Sequence, residues 1–214
     1  KRQVLSIGNA VPFAIGGFSS RTVQTVVAEG EPVGFIRGYK AVLNPDNSLK
    51  EILPLQNLGS TLPTAYGNFS LSASYKNLSF MLSGDYQYGA YVHSFDRQFR
   101  FSKGLKDDAI PEKALEGLDQ GANWLNFTNF FVEKSDFLKI RNIGIAYDYK
   151  PKKYLKSVNL AFNVYNPFAF TASSVDPEAA LAGARSQGAV AVGGLNYSSY
   201  STPRQYVGTI RVSF

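Results

Sequence analysis

The sequence contains no cysteine, which excludes disulfides, thiolate metal sites and a cysteine nucleophile. It has one histidine, His93, so an ordinary zinc site cannot be assembled within the chain, and any Ser-His-Asp triad would have to use that residue. No run of about 18 apolar residues occurs, which excludes a membrane-spanning helix. Charged residues make up 18% of the 214, below the usual quarter. The net charge of +6 is spread over Arg21, Arg37, Lys76, Arg97, Arg100, Lys139, Arg141 and Arg211. Apart from "KPKK" at 150–153 it is gathered nowhere, and a nucleic-acid partner is not expected. The opening "KRQVLSIGNAVPFAIGGFSS" is interrupted by Ser6, Gly8, Asn9 and Pro12 and fails as a signal peptide. With no initiator Met, Lys1 does not read as the natural start.

Phe (16), Tyr (13) and Gly (19) are plentiful, and the apolar residues recur with a period of two. In "NFSLSASY" Phe69, Leu71, Ala73 and Tyr75 alternate with Asn68, Ser70, Ser72 and Ser74. After "KN", Leu78, Phe80, Leu82, Tyr86 and Tyr88 share one face, opposed by Ser79, Met81, Ser83, Asp85 and Gln87. The two runs predict a hairpin turning at Lys76-Asn77, with Asn77 suited to a positive φ. Ile143, Ile145, Tyr147 and Tyr149 oppose Asn142, Gly144, Ala146 and Asp148. Val158, Leu160, Phe162 and Val164 oppose Asn159, Ala161, Asn163 and Tyr165. At the end, Tyr206, Gly208, Ile210, Val212 and Phe214 alternate with Val207, Thr209, Arg211 and Ser213. "RTVQTVVAEG" and "VGFIRGYKAVL" read as two more strands joined across Gly30 and Pro32. One short helix is expected in "IPEKALEGL", with Pro111 in its first turn and Gly117 as its stop.

The result is an all-β chain of about seven to nine antiparallel strands. One face is apolar and aromatic, the other small and polar. Periodicity alone fits both a sandwich with the apolar face inward and a membrane barrel with it outward. Three features favour the barrel. Aromatics gather at strand ends (Tyr66, Tyr75, Tyr86, Tyr88, Tyr91, Tyr147, Tyr149, Phe168, Phe170), the strands are long, and the final strand carries no polar tail.

Five stretches carry a family resemblance: "EGEPVGFIRGYK" (29–40), "LGSTLPTAYGNFSLSASYKNLSF" (58–80), "NFFVEKSDFLKIRNIGIAYDYKP" (129–151), "LAFNVYNPFAFTASSVDPE" (160–178) and "YSSYSTPRQYVGTIRVSF" (197–214). In this order they resemble the C-terminal part of the SusC/RagA-type TonB-linked outer membrane proteins. The resemblance implies that residues 1–214 are a section of a transmembrane β-barrel of about 22 strands, with long loops at about 96–128 and 171–203. It implies import of a bulky nutrient, an oligosaccharide or peptide, with a SusD-like surface lipoprotein as lid. TonB would act through an N-terminal part, and the plug, that this sequence does not contain. Outer membrane lipids are the expected surroundings. In such barrels a last strand like Tyr206, Ile210, Val212 and Phe214 resembles the signal read by the barrel-assembly machinery. Two alternatives are a structural or docking barrel within a larger envelope complex, and a self-contained barrel of 8–10 strands.

No catalysis, cofactor or metal is expected, and no substrate-binding residue is assigned. "LNPDNSLKEI" lacks the acidic spacing of a calcium loop. His93 reads as an interfacial surface residue. The pairs Asp107-Asp108, Glu112 with Glu116, and Asp176 with Glu178 read as solvated loop charges rather than glycosidase acids. Asn68, Asn77, Asn126 and Asn196 stand in Asn-X-Ser/Thr triplets and read as strand or turn positions, and Gly193-Gly194 as a turn.

Overall fold

In the computed structural model, residues 3–17, 23–151, 155–176, 195–196 and 200–214 are described. In chain order the strands are β1 (Phe13–Gly17), β2 (Gln24–Val27), β3 (Phe35–Leu43), β4 (Leu49–Ser60), β5 (Ala65–Tyr75), β6 (Leu78–Tyr88), β7 (Tyr91–Ser94), β8 (Val132–Lys134), β9 (Phe137–Tyr149), β10 (Ser157–Thr171), β11 (Leu195–Asn196) and β12 (Gln205–Ser213). Two helices, α1 (Phe95–Ser102) and α2 (Gln120–Asn123), and two 3₁₀ segments, Glu112–Leu115 and Trp124–Phe131, complete the described elements. The fold is mostly antiparallel β-sheet with few helices, as the alternation predicts.

Twelve strands are described, more than the seven to nine expected, and β4 shows why. Pro54, left-handed Leu55 (φ 52) and Gly59 (φ 144) interrupt it, and its pairing with β3 slips three times. Each slip shifts the side-chain parity, so no alternation survives in the sequence. Gly59 is required there: a Cβ at its left-handed φ would run into the Tyr91 ring.

The chain forms two units. The first comprises Lys1–Thr64, Gly89–Asp136 and Ala172–Ser201. It holds an antiparallel sheet in the order β1-β2-β3-β4 and a small sheet β11-β7-β8, in which β11 and β7 run parallel. The segment 96–128, expected as a loop with one short helix, folds around a core. Phe101, Phe127, Phe131, Ile110 and Ala114 are buried together with Ala41 of β3. Phe101 meets Phe127 edge-on at 5.8 Å between ring centroids. In α1 the buried residues Phe95, Gln98 and Phe101 recur every three positions, so one stripe faces inward. Asn129 fastens this segment to β3: the Ala41 N–H donates to Asn129 Oδ1 at 2.8 Å, and Asn129 Nδ2 donates back to the Ala41 carbonyl at 3.3 Å. The expected helix at "IPEKALEGL" is reduced to the 3₁₀ turn Glu112–Leu115, with Pro111 just before it.

The second unit comprises Ala65–Tyr88, Phe137–Thr171 and Thr202–Phe214. It is one antiparallel meander in the order β12-β10-β9-β6-β5. The turn between β5 and β6 is Lys76-Asn77 as predicted, although Lys76 (φ 54), not Asn77, takes the left-handed conformation. The short connections, 76–77 and 150–156, lie at one end of this sheet. The other end holds Ala65, Tyr88, Phe137 and Thr171, where the chain continues into the first unit. Strands β5 and β12 are its two edges, and the sheet does not close on itself. Gly84 sits where β6 and β9 slip register, and a Cβ there would meet the Phe69 ring and the Lys139 carbonyl.

Candidate functional site

Cross-strand partners point to the same side of a sheet, so the registers of the second unit sort every side chain. Leu71, Leu82, Ile143 and Val164 form one row across four strands. Ala73, Phe80, Ile145, Phe162 and Gly208 form the next. Tyr75, Leu78, Tyr147, Leu160 and Ile210 form a third. The apolar side chains of these rows are exposed, as the outward-facing alternative expects: Ile210 is 73% and Phe162 48% accessible. Aromatics stand at both ends of this face. Tyr75, Tyr147 and Tyr149 lie toward the short turns, and Tyr86, Tyr88, Phe168, Phe170 and Tyr206 toward the far end. Arg204 donates from Nη2 to the Pro167 carbonyl at 2.5 Å and lies over the Phe168 ring at 5.9 Å, which fixes the far end of β10 against the segment entering β12.

Two residues expected in these aromatic rows lie elsewhere. Tyr66 pairs with Gln87 and so points to the polar side. Tyr91 belongs to β7 and packs against the buried pair Val23 and Ile36 in the first unit. Neither β7 nor the fold around it is visible in the local alternation.

The opposite face of the sheet is built from small and polar residues. Ser70, Ser72, Ser74, Ser79 and Ser83 occupy β5 and β6. Arg141 is the extra residue where β9 bulges against β6, between Ile140 and Asn142, and the bulge brings it to Asp85. Its Nε donates to Asp85 Oδ1 at 2.5 Å and its Nη2 to Asp85 Oδ2 at 2.8 Å, a bidentate pair. Lys139 stands directly opposite Asp85 and is buried. Asn142 is buried too, and its Oδ1 has no hydrogen-bond partner among the described residues. A Cβ on Gly144 would press on the Asn163 side-chain oxygen. Asn159 Nδ2 donates to Asp148 Oδ1 at 2.7 Å nearer the short-turn end.

The four residues read as an assembly signature fall on one edge strand and its end. Tyr206, Ile210 and Val212 pair with Val164, Leu160 and Val158, all on the apolar face. Phe214 follows Ser213 and is exposed. Of the long segments expected as loops, 96–128 is folded as described, and 177–194 and 197–199 lie outside the described residues, as do Glu178 and Gly193-Gly194.

In the first unit two of the loop carboxylates read as solvated, Asp107 and Glu112, are paired. Arg97 binds Asp107 through Nε at 2.9 Å and Nη2 at 2.5 Å, and also forms an ion pair with Glu133. Burial raises the Asp107 pKa, but the Arg97 guanidinium outweighs it and holds the carboxyl below its ordinary value. Glu112 pairs with Lys106. Asp46, in the loop read against a calcium pattern, accepts from Lys113 Nζ at 2.7 Å and from Ser48 Oγ at 2.6 Å. The hydrogen bond from Lys113 drives its pKa well below the carboxylate range.

His93 is not a surface residue: it is fully buried. Its Nε2 faces Gln98 Oε1 at 2.6 Å, and Gln98 Nε2 donates to Thr128 Oγ1 at 2.9 Å. Gln98 therefore has its acceptor free only for an N–H, which assigns the proton to Nε2. Burial, partly countered by Gln98 and reinforced by Arg97, lowers the His93 pKa to about 4. The unfolded chain takes up that proton near pH 6.5, so stability is complete above this value and falls as pH drops towards 4. The loss across that window is about 3 kcal/mol. Hydrogen exchange over residues 91–131 of the native protein checks it: protection declines between pH 6.5 and 4, and His93→Gln flattens the decline.

No known family profile matches the sequence, and no curated protein is similar to it. Among solved structures, the fold is similar to a chain of the RagAB peptide importer in its open-open state. That match has a TM-score of 0.64 and 18% identity, over 99% of this chain and 25% of the other. The closed-closed state of the same importer gives 0.66 and 19% over 97% and 25%. A further structure of the RagAB peptide transporter gives 0.64 and 18% over 96% and 25%. The chain spans about a quarter of the length of the proteins it matches. At this identity the likeness establishes a shared fold.

Proposed function

We propose that the chain is part of the barrel wall, with its attached loops, of a TonB-dependent outer membrane importer of the SusC/RagA type. The observation that carries this reading is the two-faced meander: an exposed apolar face ending in aromatics at both edges, backed by a serine- and asparagine-lined face. From first to last, the eleven residues of β6 take ten steps and span about 34 Å at ~3.4 Å per step. A strand tilt of ~40° reduces that to about 26 Å, which matches the ~25 Å apolar band of outer membrane barrels. Short turns at one end and long connections at the other fit the periplasmic and extracellular sides of such barrels. The fold similarity to the RagAB peptide importer supports the same reading.

In this proposal the apolar face meets outer membrane lipid and the polar face lines the lumen. Strands β5 and β12 pair with further strands of a barrel of about 22. Tyr206, Ile210, Val212 and Phe214 form the signal for barrel assembly. A SusD-like lipoprotein closes over the long connections, about 96–128 and 171–203, and TonB supplies energy through parts of the protein beyond this sequence. The cargo is a peptide or oligosaccharide, and no catalytic step is assigned to the chain.

The test is uptake. A strain lacking the gene is expected to lose growth on, and accumulation of, the labelled peptide or oligosaccharide cargo. Restoring the gene restores both, and dissipating the inner-membrane proton gradient abolishes them. A protein that fractionates with the outer membrane while uptake of every such cargo is unchanged by its loss would sink the importer reading and favour the structural barrel.

A further inference from the structure

A cavity of about 580 Å³ lies within residues 106–120 of the first unit, inside the ~300–1,000 Å³ range of small-ligand sites. Its apolar lining is Ile110, which is buried, with Pro111, Leu115 and Leu118. One wall is tied in place by Gln120, whose Nε2 donates to the carbonyls of Phe101 at 2.7 Å and Leu105 at 2.9 Å. The cup is therefore held open by hydrogen bonds and by Ile110 and Leu118 packing into the phenylalanine core, and a ligand would meet a shaped site.

The rim is acidic. Asp107, Asp108, Glu112 and Glu116 line it against a single cation, Lys106. Two of the four carboxylates have partners built in, Asp107 with Arg97 and Glu112 with Lys106. Lys113 feels Glu116 but donates to Asp46, so Asp108 and Glu116 are the rim carboxylates left without a salt bridge among the described residues. The complement to such a rim is a cation, and the apolar lining beneath it suits an organic one. An apolar lining beneath an acidic rim matches one kind of side chain: a long aliphatic stem that ends in a positive charge.

We propose that this cup binds a lysine or arginine side chain of a peptide cargo. The stem lies on Ile110, Leu115 and Leu118, and the charged head meets Asp108 and Glu116. The inference rests on the importer reading and narrows its cargo to peptides bearing basic residues.

The experiment uses the full-length protein purified in detergent and a fluorescent host peptide carrying two lysines, two glutamines or two glutamates. The lysine peptide is expected to bind on the order of fivefold more tightly than the glutamine peptide, as two exposed ion pairs would give, and more tightly still than the glutamate peptide. The preference is expected to shrink with added salt. Asp108→Asn with Glu116→Gln is expected to erase it, and Asp108→Lys with Glu116→Lys to reverse it towards the glutamate peptide. Equal affinity for all three peptides, or a lysine preference that survives both double variants, would overturn the proposal. A native protein that imports peptides regardless of their lysine content overturns the cup and leaves the importer intact. One that binds the lysine peptide through Asp108 and Glu116 but imports nothing overturns the importer and leaves the cup.

Discussion

Phe162→Arg is expected to lower stability by about 2–4 kcal/mol, the cost of an arginine near the middle of a lipid-facing surface, which the apolar face is in the proposed barrel. Phe162 lies between Ile145 and Gly208 in the central row of the apolar face, with aromatics above and below. A guanidinium there cannot reach either interface without bending past Tyr147 or Phe168. The control is one residue away. Ala161 sits on the other face, between Ala146 and Thr209, and Ala161→Arg is expected to cost less than about 1 kcal/mol, because in the proposed barrel this side meets water. Urea titration of the full-length protein in lipid vesicles, followed by its heat-dependent shift in electrophoretic mobility, measures both. Equal effects of the two variants would mean that the apolar face is not turned to lipid, and the membrane reading would fail with it.

Phe127→Ala is expected to destabilise the first unit by about 3–5 kcal/mol, the range for deleting a fully buried phenylalanine. Phe127 has no exposed surface. Its ring lies 5.8 Å from Phe101 and 6.2 Å from Phe130, and its backbone (φ −101, ψ 19) forms the kink within Trp124–Phe131. Removing the ring leaves a cavity that the kinked backbone, held at Asn129 to β3, cannot collapse to fill. Native-state proteolysis reads the result, with cleavage between 96 and 131 accelerated as the local opening free energy falls. Phe99→Ala, at a half-exposed neighbour on the outer side of α1, is expected to leave the cleavage rate almost unchanged. Because the cup at 106–120 rests on the same core, Phe127→Ala is also expected to weaken its peptide binding, whereas Phe162→Arg is not.

The second unit was legible strand by strand because each of its strands keeps one parity over most of its length. In β5 and β6 every residue named from the alternation lies on the face assigned to it. In the first unit β2 and β3 were read, from "RTVQTVVAEG" and "VGFIRGYKAVL", and the rest was not. Its strands are short, as in β7 and β8, or broken by bulges, as in β4. Its longest folded segment alternates with neither a period of two nor a sustained 3.6. "FDRQFRFS" carries only three phenylalanines, and the middle one of its three inward residues is Gln98, which a hydropathy pattern counts as polar. Gln98 is buried because it satisfies His93, Trp124 and Thr128 together, a set of partners up to thirty residues away along the chain. The same holds for Asp85 and Arg141, separated by 56 residues and joined where the β6–β9 register slips.

By itself the amino-acid sequence determined the all-β class, the strands of the second unit, the position of its tight turn and the sorting of its side chains into two faces. Period-two patterning acts between neighbours on one strand, so it is written where it acts. Which carboxylates are neutralised, that His93 is buried and that residues 106–120 enclose a cup were decided only by the tertiary structure. Each of these depends on what packs against a residue from a distant part of the chain. Burial, ion pairing and cavity shape are set by those distant partners, not by the local pattern.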